Sequence, residues 1–244
     1  MLKNFLSSAV ILLAACGQSC WAELILYSTT GAPGDQSFTA PSTSAANGSA
    51  GNLVRGSGLT ANSGSGSINS RDWTQSATPD SADYYGFSFT ANAGFRATYT
   101  TLSFAETRSS TGIRAFEVRS SLDGFGTFAS QGVFINPDDV LTRQRSVSLS
   151  GLTNLTGTVD FRIYGYSAEG TVGTWRLQNN LANNGIVLDG TITAVPEPTS
   201  LTLLSVAGFV GLVTAHRRRK SKKIMTVYFD CNVSPSDLSR SLHE

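Results

Sequence analysis

Val159, Phe161 and Ile163 alternate with Asp160 and Arg162, and this period of two sends successive side chains to opposite faces of an extended chain. A run of this kind is a strand with one face in a core and the other in water. The same alternation recurs at 85–89, where Tyr, Phe and Phe are spaced by Gly and Ser, and at 115–119, where Phe116 and Val118 share a face. Further strands are predicted at 24–27, 96–104, 126–134, 145–149, 174–177 and 186–192, separated by Gly, Asn, Asp and Ser clusters. No window between the two apolar ends carries a sustained helical period. The expected fold class is all-β, an antiparallel β-sandwich of the jelly-roll kind, spanning one domain at 23–194.

Residues 31–80 break the pattern, being dominated by Gly, Ser, Thr, Asn and Ala. They read as a long flexible surface loop with one short strand near 52–54. Gly56-Ser57-Gly58 and Gly64-Ser65-Gly66 lack the Gly-Lys-Ser/Thr ending of a phosphate-binding loop, so no nucleotide site is expected there.

Residues 23–198 hold ten Arg and no Lys against fourteen Asp plus Glu, a net charge of −4 hidden by the +1 of the whole chain. The same span has no His, Cys or Met. Nucleophilic catalysis by Ser-His-Asp or Cys-His needs an imidazole, and the usual zinc sites need His or Cys, so those classes are excluded from this span. An acidic, Lys-free surface also disfavours nucleic acid.

Two apolar segments flank this domain. After Val195-Pro196-Glu197-Pro198, where two prolines end regular structure, residues 199–215 are uncharged. As a helix they span roughly 25 Å, close to a hydrocarbon core of about 30 Å. The Arg217-Arg218-Arg219-Lys220 cluster that follows acts as a cytoplasmic stop. At the other end, residues 1–22 carry Lys3, an apolar run and small residues, the order of a signal peptide. Cleavage after Ala22 leaves Glu23 as the first mature residue; the competing reading is a lipobox that acylates Cys16. The strand pattern beginning at Glu23 favours the first, since a lipoprotein needs a flexible tether. Residues 221–244 are expected to be a cytoplasmic or spurious tail.

The Pro-Glu-Pro element, the apolar helix and the Arg cluster together resemble the PEP-CTERM sorting signal of exported bacterial proteins. The resemblance covers the last fifty residues or so and implies that Pro196, Glu197 and Pro198 are recognised by an exosortase-type membrane protease, with Arg217, Arg218 and Arg219 as the retention signal. It also implies passage through signal peptidase and the general secretion machinery, transient anchoring in the inner membrane, and release to the cell surface or extracellular matrix. Such chains usually end soon after the basic cluster, and this one continues for some two dozen residues. Blocks at 108–112, 116–125, 161–166 and 173–177 resemble ectodomains of the same family, described as jelly-rolls similar to carbohydrate-binding modules. There the Trp-Arg block continues with Asp-Asn, whereas Gln178-Asn179 stands here.

These readings make the domain a structural or polysaccharide-binding module, not an enzyme. Trp73, Tyr164, Tyr166 and Trp175, with Tyr84 and Tyr85 behind them, are the candidates for stacking on sugar rings; sheet aromatics also fill cores. No cofactor is expected. Asp123-Gly124 reads as a tight turn, with a structural calcium at Asp123 as the alternative. The competing function is a carbohydrate-active enzyme working through a carboxylate pair drawn from Glu106, Glu117, Asp160 and Glu169. A third reading leaves the chain as an unprocessed single-pass membrane protein or lipoprotein.

Overall fold

The computed structural model describes residues 22–127, 129 and 132–196. All of the predicted signal peptide except Ala22, with Cys16, and Glu197, Pro198, the apolar run 199–215, Arg217 to Arg219 and the tail 221–244 lie outside the described residues.

The chain opens with β1 (Ala22–Tyr27), then a series of short strands: β2 (Pro33–Gly34), β3 (Phe38–Thr39), β4 (Thr43–Ser44) and β5 (Gly48–Ala50). Next come β6 (Leu53–Arg55), β7 (Thr60–Ala61) and β8 (Ser67–Arg71). The long strands follow: β9 (Tyr84–Ala91), β10 (Phe95–Arg108) and β11 (Ala115–Ser120). After a single 3-10 turn at Ser121–Asp123 come β12 (Phe134–Ile135), β13 (Arg143–Ser148), β14 (Gly157–Tyr166), β15 (Trp175–Gln178) and β16 (Ile186–Ala194).

These strands form two sheets. The first runs β2-β8-β15-β10-β16-β1-β4, with β13 on β10 and β7 on β8; the second runs β12-β11-β14-β9-β6-β3, with β5 on β9. The fold is all-β, as expected, and all pairings between these strands are antiparallel except the short β2–β8 contact, which is parallel. The alternation read in the sequence is the alternation observed: Tyr85, Phe87 and Phe89 of β9 and Val159, Phe161 and Ile163 of β14 are buried.

The sheets face each other across one aromatic core. Tyr27 meets Phe87 at 5.9 Å between ring centroids, Tyr99 meets Phe161 at 5.1 Å, and Phe116 lies parallel to Trp175 at 5.4 Å. Buried hydroxyls reach across the gap as well. Tyr27 donates to the carbonyl of Gly51 at 2.6 Å and Tyr85 to that of Trp175 at 2.7 Å, so each phenol spends its polar end on the backbone of the opposite layer. Burial holds both phenols well above the ordinary tyrosine range.

Residues 31–80 are not the loop that their composition predicts. They hold seven strands, β2 to β8, which supply edges to both sheets. Side chains this small leave no hydrophobic period to read, and the strands are held by backbone pairing and by one cation. Arg55 donates to the carbonyl of Asn69 at 2.9 Å, to the Ser70 hydroxyl at 2.8 Å, and to the carbonyls of Gln36 and Gly34. Five donors in a planar fork allow one residue to gather three separate segments. The strand expected at 126–134 is also corrected: among the described residues only Phe134–Ile135 pairs there.

Candidate functional site

The outward face of the second sheet carries the side chains that its core face leaves over. In the β9–β14 register Ser88 lies opposite Asp160, Gly86 opposite Arg162 and Tyr84 opposite Tyr164. The rows continue sideways, with Val54 of β6 beside Gly86 and Arg119 of β11 beside Arg162. Two positions in this surface have no side chain. A Cβ on Gly86 would come within 2.8 Å of the Tyr84 ring, and one on Gly51 would collide with the Ser88 hydroxyl. The result is a depression of about 380 Å³ with Asn52, Val54, Tyr84, Asp160 and Arg162 around it.

Its remaining wall comes from a turn. After the 3-10 turn, Gly124 and Phe125 both adopt left-handed backbone, with φ of 69° and 63°. For glycine this is free; for a bulky residue it costs on the order of 1–3 kcal/mol and persists only where the surroundings impose it. They do so here: the Phe125 N–H donates to Ser120 at 3.0 Å, and Arg119 donates to the Phe125 carbonyl at 2.9 Å. The phenyl ring is thereby laid over Arg162, whose guanidinium carbon sits 3.9 Å from the Phe125 centroid and 4.2 Å from that of Tyr84.

Arg162 is thus a half-buried cation held by two rings, with Nη1 donating to the Tyr164 hydroxyl at 3.2 Å. Among the described residues it forms no ion pair, although Asp160 stands two residues along the same face. Asp160 is exposed; its backbone N–H donates to the Ser121 hydroxyl at 3.0 Å, and among the described residues its carboxylate has no hydrogen-bond partner.

The sequence candidates distribute unevenly around this place. Trp73 and Trp175 are corrected as stacking residues, because both are in the core and offer no ring to solvent. Trp73 is 2% exposed and donates to the Ser70 carbonyl at 3.0 Å, and Trp175 is 0% exposed and donates to Glu106 at 2.6 Å. Tyr164 and Tyr166 are on the outer face but nearly covered. Arg119 lies over the Tyr164 ring at 5.4 Å, and Tyr166 donates to Glu117 at 3.3 Å. Burial, then the Glu117 charge, pushes the Tyr166 phenol up to about 12. Tyr164 backs the depression by packing on Tyr84 at 5.6 Å between ring centroids, and Tyr166 does not line it.

Asp123 fastens the turn that carries Phe125. Its carboxylate accepts from the backbone N–H of Gly126 at 3.2 Å, from that of Thr127 at 2.8 Å, and from the Thr127 hydroxyl. The hydroxyl first, then the backbone donors, hold it below the ordinary aspartate range. Those oxygens are committed to the turn, and among the described residues no cluster of three or more His, Cys, Asp or Glu is arranged to hold a metal.

Three of the four candidate carboxylates are also committed. Glu106 takes Arg145 at 2.9 Å, Glu117 takes Arg119, and Glu169 takes Arg114 at 3.0 Å as well as Arg108. Among the described residues, Asp160 alone of the four forms no ion pair. Phe125, Arg162 and Asn52 were not among the expected site residues. The legible signal was the outward parity of Arg162 and a ring flanked by two glycines at 124–126.

At the termini of the domain, Ala22 and Glu23 begin β1, and Glu23 pairs in register with Asp189 of β16. Pro196 lies two residues past the end of β16. No protein-family model and no curated protein matches the chain.

Proposed function

We propose that this chain is an exported protein of the bacterial cell envelope or its exopolysaccharide matrix, sorted in the manner of PEP-CTERM proteins. Its β domain is a jelly-roll-like sandwich that binds polysaccharide or serves as a structural element, without catalysing a reaction. One observation carries the reading: Pro196-Glu197-Pro198 precedes an uncharged run at 199–215 and the cluster Arg217 to Arg219, in that order. The signal-like residues 1–22 support it from the other end. The non-enzymatic part is supported by Glu106, Glu117 and Glu169, each of which already neutralises an arginine. A glycosidase needs two carboxyl groups free to act as acid and base or nucleophile. The binding part is supported by the depression beside Tyr84 and Arg162, which is open to water.

The test is the intact mass of the protein recovered from the envelope and from the matrix of its native host. The expected product lacks residues 1–22 and everything after about Pro198. Recovery of a species that retains 199–244 in both fractions defeats the sorting assignment and leaves a single-pass membrane protein.

A further inference from the structure

We infer that the depression on the second sheet is a subsite for one ring of a neutral polysaccharide, read by Asp160 as hydroxyl acceptor and by Arg162 and Asn52 as donors. This rests on the polysaccharide-binding reading above and gives it a place and a ligand class.

The site is built rather than incidental. A depression exists only because Gly51 and Gly86 leave its floor bare. Its wall exists only because Phe125 holds a backbone conformation that a bulky residue otherwise avoids. Between that wall and Tyr84 the Arg162 guanidinium is clamped by two rings, so binding costs little of the rotamer entropy that a free arginine gives up. A volume of about 380 Å³ is at the small end of ligand pockets, which suits one or two sugar rings and not a larger cofactor.

The chemistry selects hydroxyls. A sugar hydroxyl both donates and accepts, so vicinal hydroxyls are matched by an acceptor-only group next to a donor-only group. Asp160 and Arg162 are that pair. They stand on one face of β14, two residues or about 6.6 Å apart by strand rise, a separation comparable with the width of a pyranose ring. Neither is spent on the other: among the described residues neither forms an ion pair, and no group hydrogen-bonds the Asp160 carboxylate. Tyr84 and Phe125 flank the pair with apolar carbon for the C–H faces of the ring.

Charge selects neutrality. The span 23–198 carries a net −4, and Asp160 sits in the depression itself, so a polyuronate or sulfated polymer brings like charge to the carboxylate that must accept its hydroxyls.

The experiment is affinity electrophoresis of the full chain in mild detergent through gels that contain neutral glucans, mannans or galactans, with alginate and pectate run in parallel. The expected result is retardation by at least one neutral polymer. Asp160→Asn, Arg162→Gln and Asn52→Ala should each weaken it, the two charge changes by about tenfold or more. Thermal melting by circular dichroism confirms that each variant is folded, and Asn52→Ala, at an exposed loop position, keeps the test valid if Arg162→Gln is not. Retardation by a neutral polymer that survives all three substitutions overturns the site while leaving polysaccharide binding intact. Stronger retardation by alginate or pectate, lost in Arg162→Gln, overturns the ligand class. No retardation by any polymer overturns the inference and the binding reading together.

Discussion

Trp175 donates its indole N–H to a carboxylate oxygen of Glu106 at 2.6 Å, although both side chains are fully buried and lie on adjacent strands of the first sheet. The other oxygen of Glu106 takes Arg145 at 2.9 Å, and Arg145 also donates to the amide oxygen of Asn136. A carboxylate this deep is tolerable only with its lone pairs occupied, so the indole is as much a counter-group as a core filler.

Trp175→Phe keeps a ring in place and removes that donor. It is expected to destabilise the protein by about 1–3 kcal/mol, the cost of an unsatisfied buried acceptor, read from the midpoint of urea unfolding. In a Glu106→Gln background the same change should cost measurably less, because the acceptor is no longer charged. Equal costs in the two backgrounds would show that volume alone is at stake.

Arg55 is the second expected weak point. Arg55→Met removes the side-chain donor to the carbonyls of Gly34 and Gln36 and to that of Asn69, which keeps the Asn62 N–H at 3.1 Å, at about 1–3 kcal/mol for each acceptor left without a partner that water does not reach. Amide exchange should accelerate in residues 33–71 before it does in β9 or β14. Arg55→Lys should recover only part of the loss, since an ammonium has three donors on a single atom. Full recovery by lysine would mean that charge, not the planar fork, holds these strands.

Asp83 gives a pH dependence of defined sign. It is nearly buried, and burial raises its pKa; the Thr74 N–H, at 2.7 Å, lowers it in part, and the charges of Asp80 and Asp72 raise it further. A carboxyl group whose folded pKa exceeds its unfolded one penalises the native state above that folded pKa. The penalty fades as pH falls through the window between the two and is gone below the unfolded value. Asp83→Asn, which keeps an acceptor for Thr74, is therefore expected to melt higher than the parent at pH 7 and no higher at about pH 3, below the free aspartate range. A variant that melts lower at pH 7 would refute the sign.

Calcium should have no effect on stability. Asp123 spends both carboxylate oxygens on Gly126 and Thr127, so adding calcium or a chelator should leave the melting temperature where it is. A genuine site held at a hundred times its Kd would add about 2.7 kcal/mol. Asp123→Ala should instead loosen the turn and weaken whatever Phe125 and Arg162 bind together.

The parts of the fold that were legible in the sequence are those where a side chain's parity decides its burial. Phe161 and Phe87 occur in strands long enough for the alternation to repeat, and both were read correctly. Thr60, Ala61 and Pro33 lie in strands of two residues, where no period can be expressed and backbone pairing does the work. Trp73 and Trp175 were offered as stacking rings because the sequence does not tell a ring on a sheet surface from one in a core; rings of that size fill the space between two sheets, and each found an internal acceptor. Arg162 and Asp160 were legible as outward-facing. That Phe125 would lie over Arg162 was not, because the contact depends on two consecutive left-handed residues in a turn thirty-seven positions away.

The borders of the two sheets have a consequence for crowding. β2 and β4 end the first sheet and β3 and β12 end the second, and each offers only two residues of ladder. The longer β13, which pairs only with β10 among the described residues, carries Arg143 and Arg145. Short or cationic margins give a neighbouring molecule almost nothing to zip onto. Edge-to-edge pairing between copies of this domain through these described strands is therefore disfavoured, and a solution of it is expected to concentrate without seeding fibres.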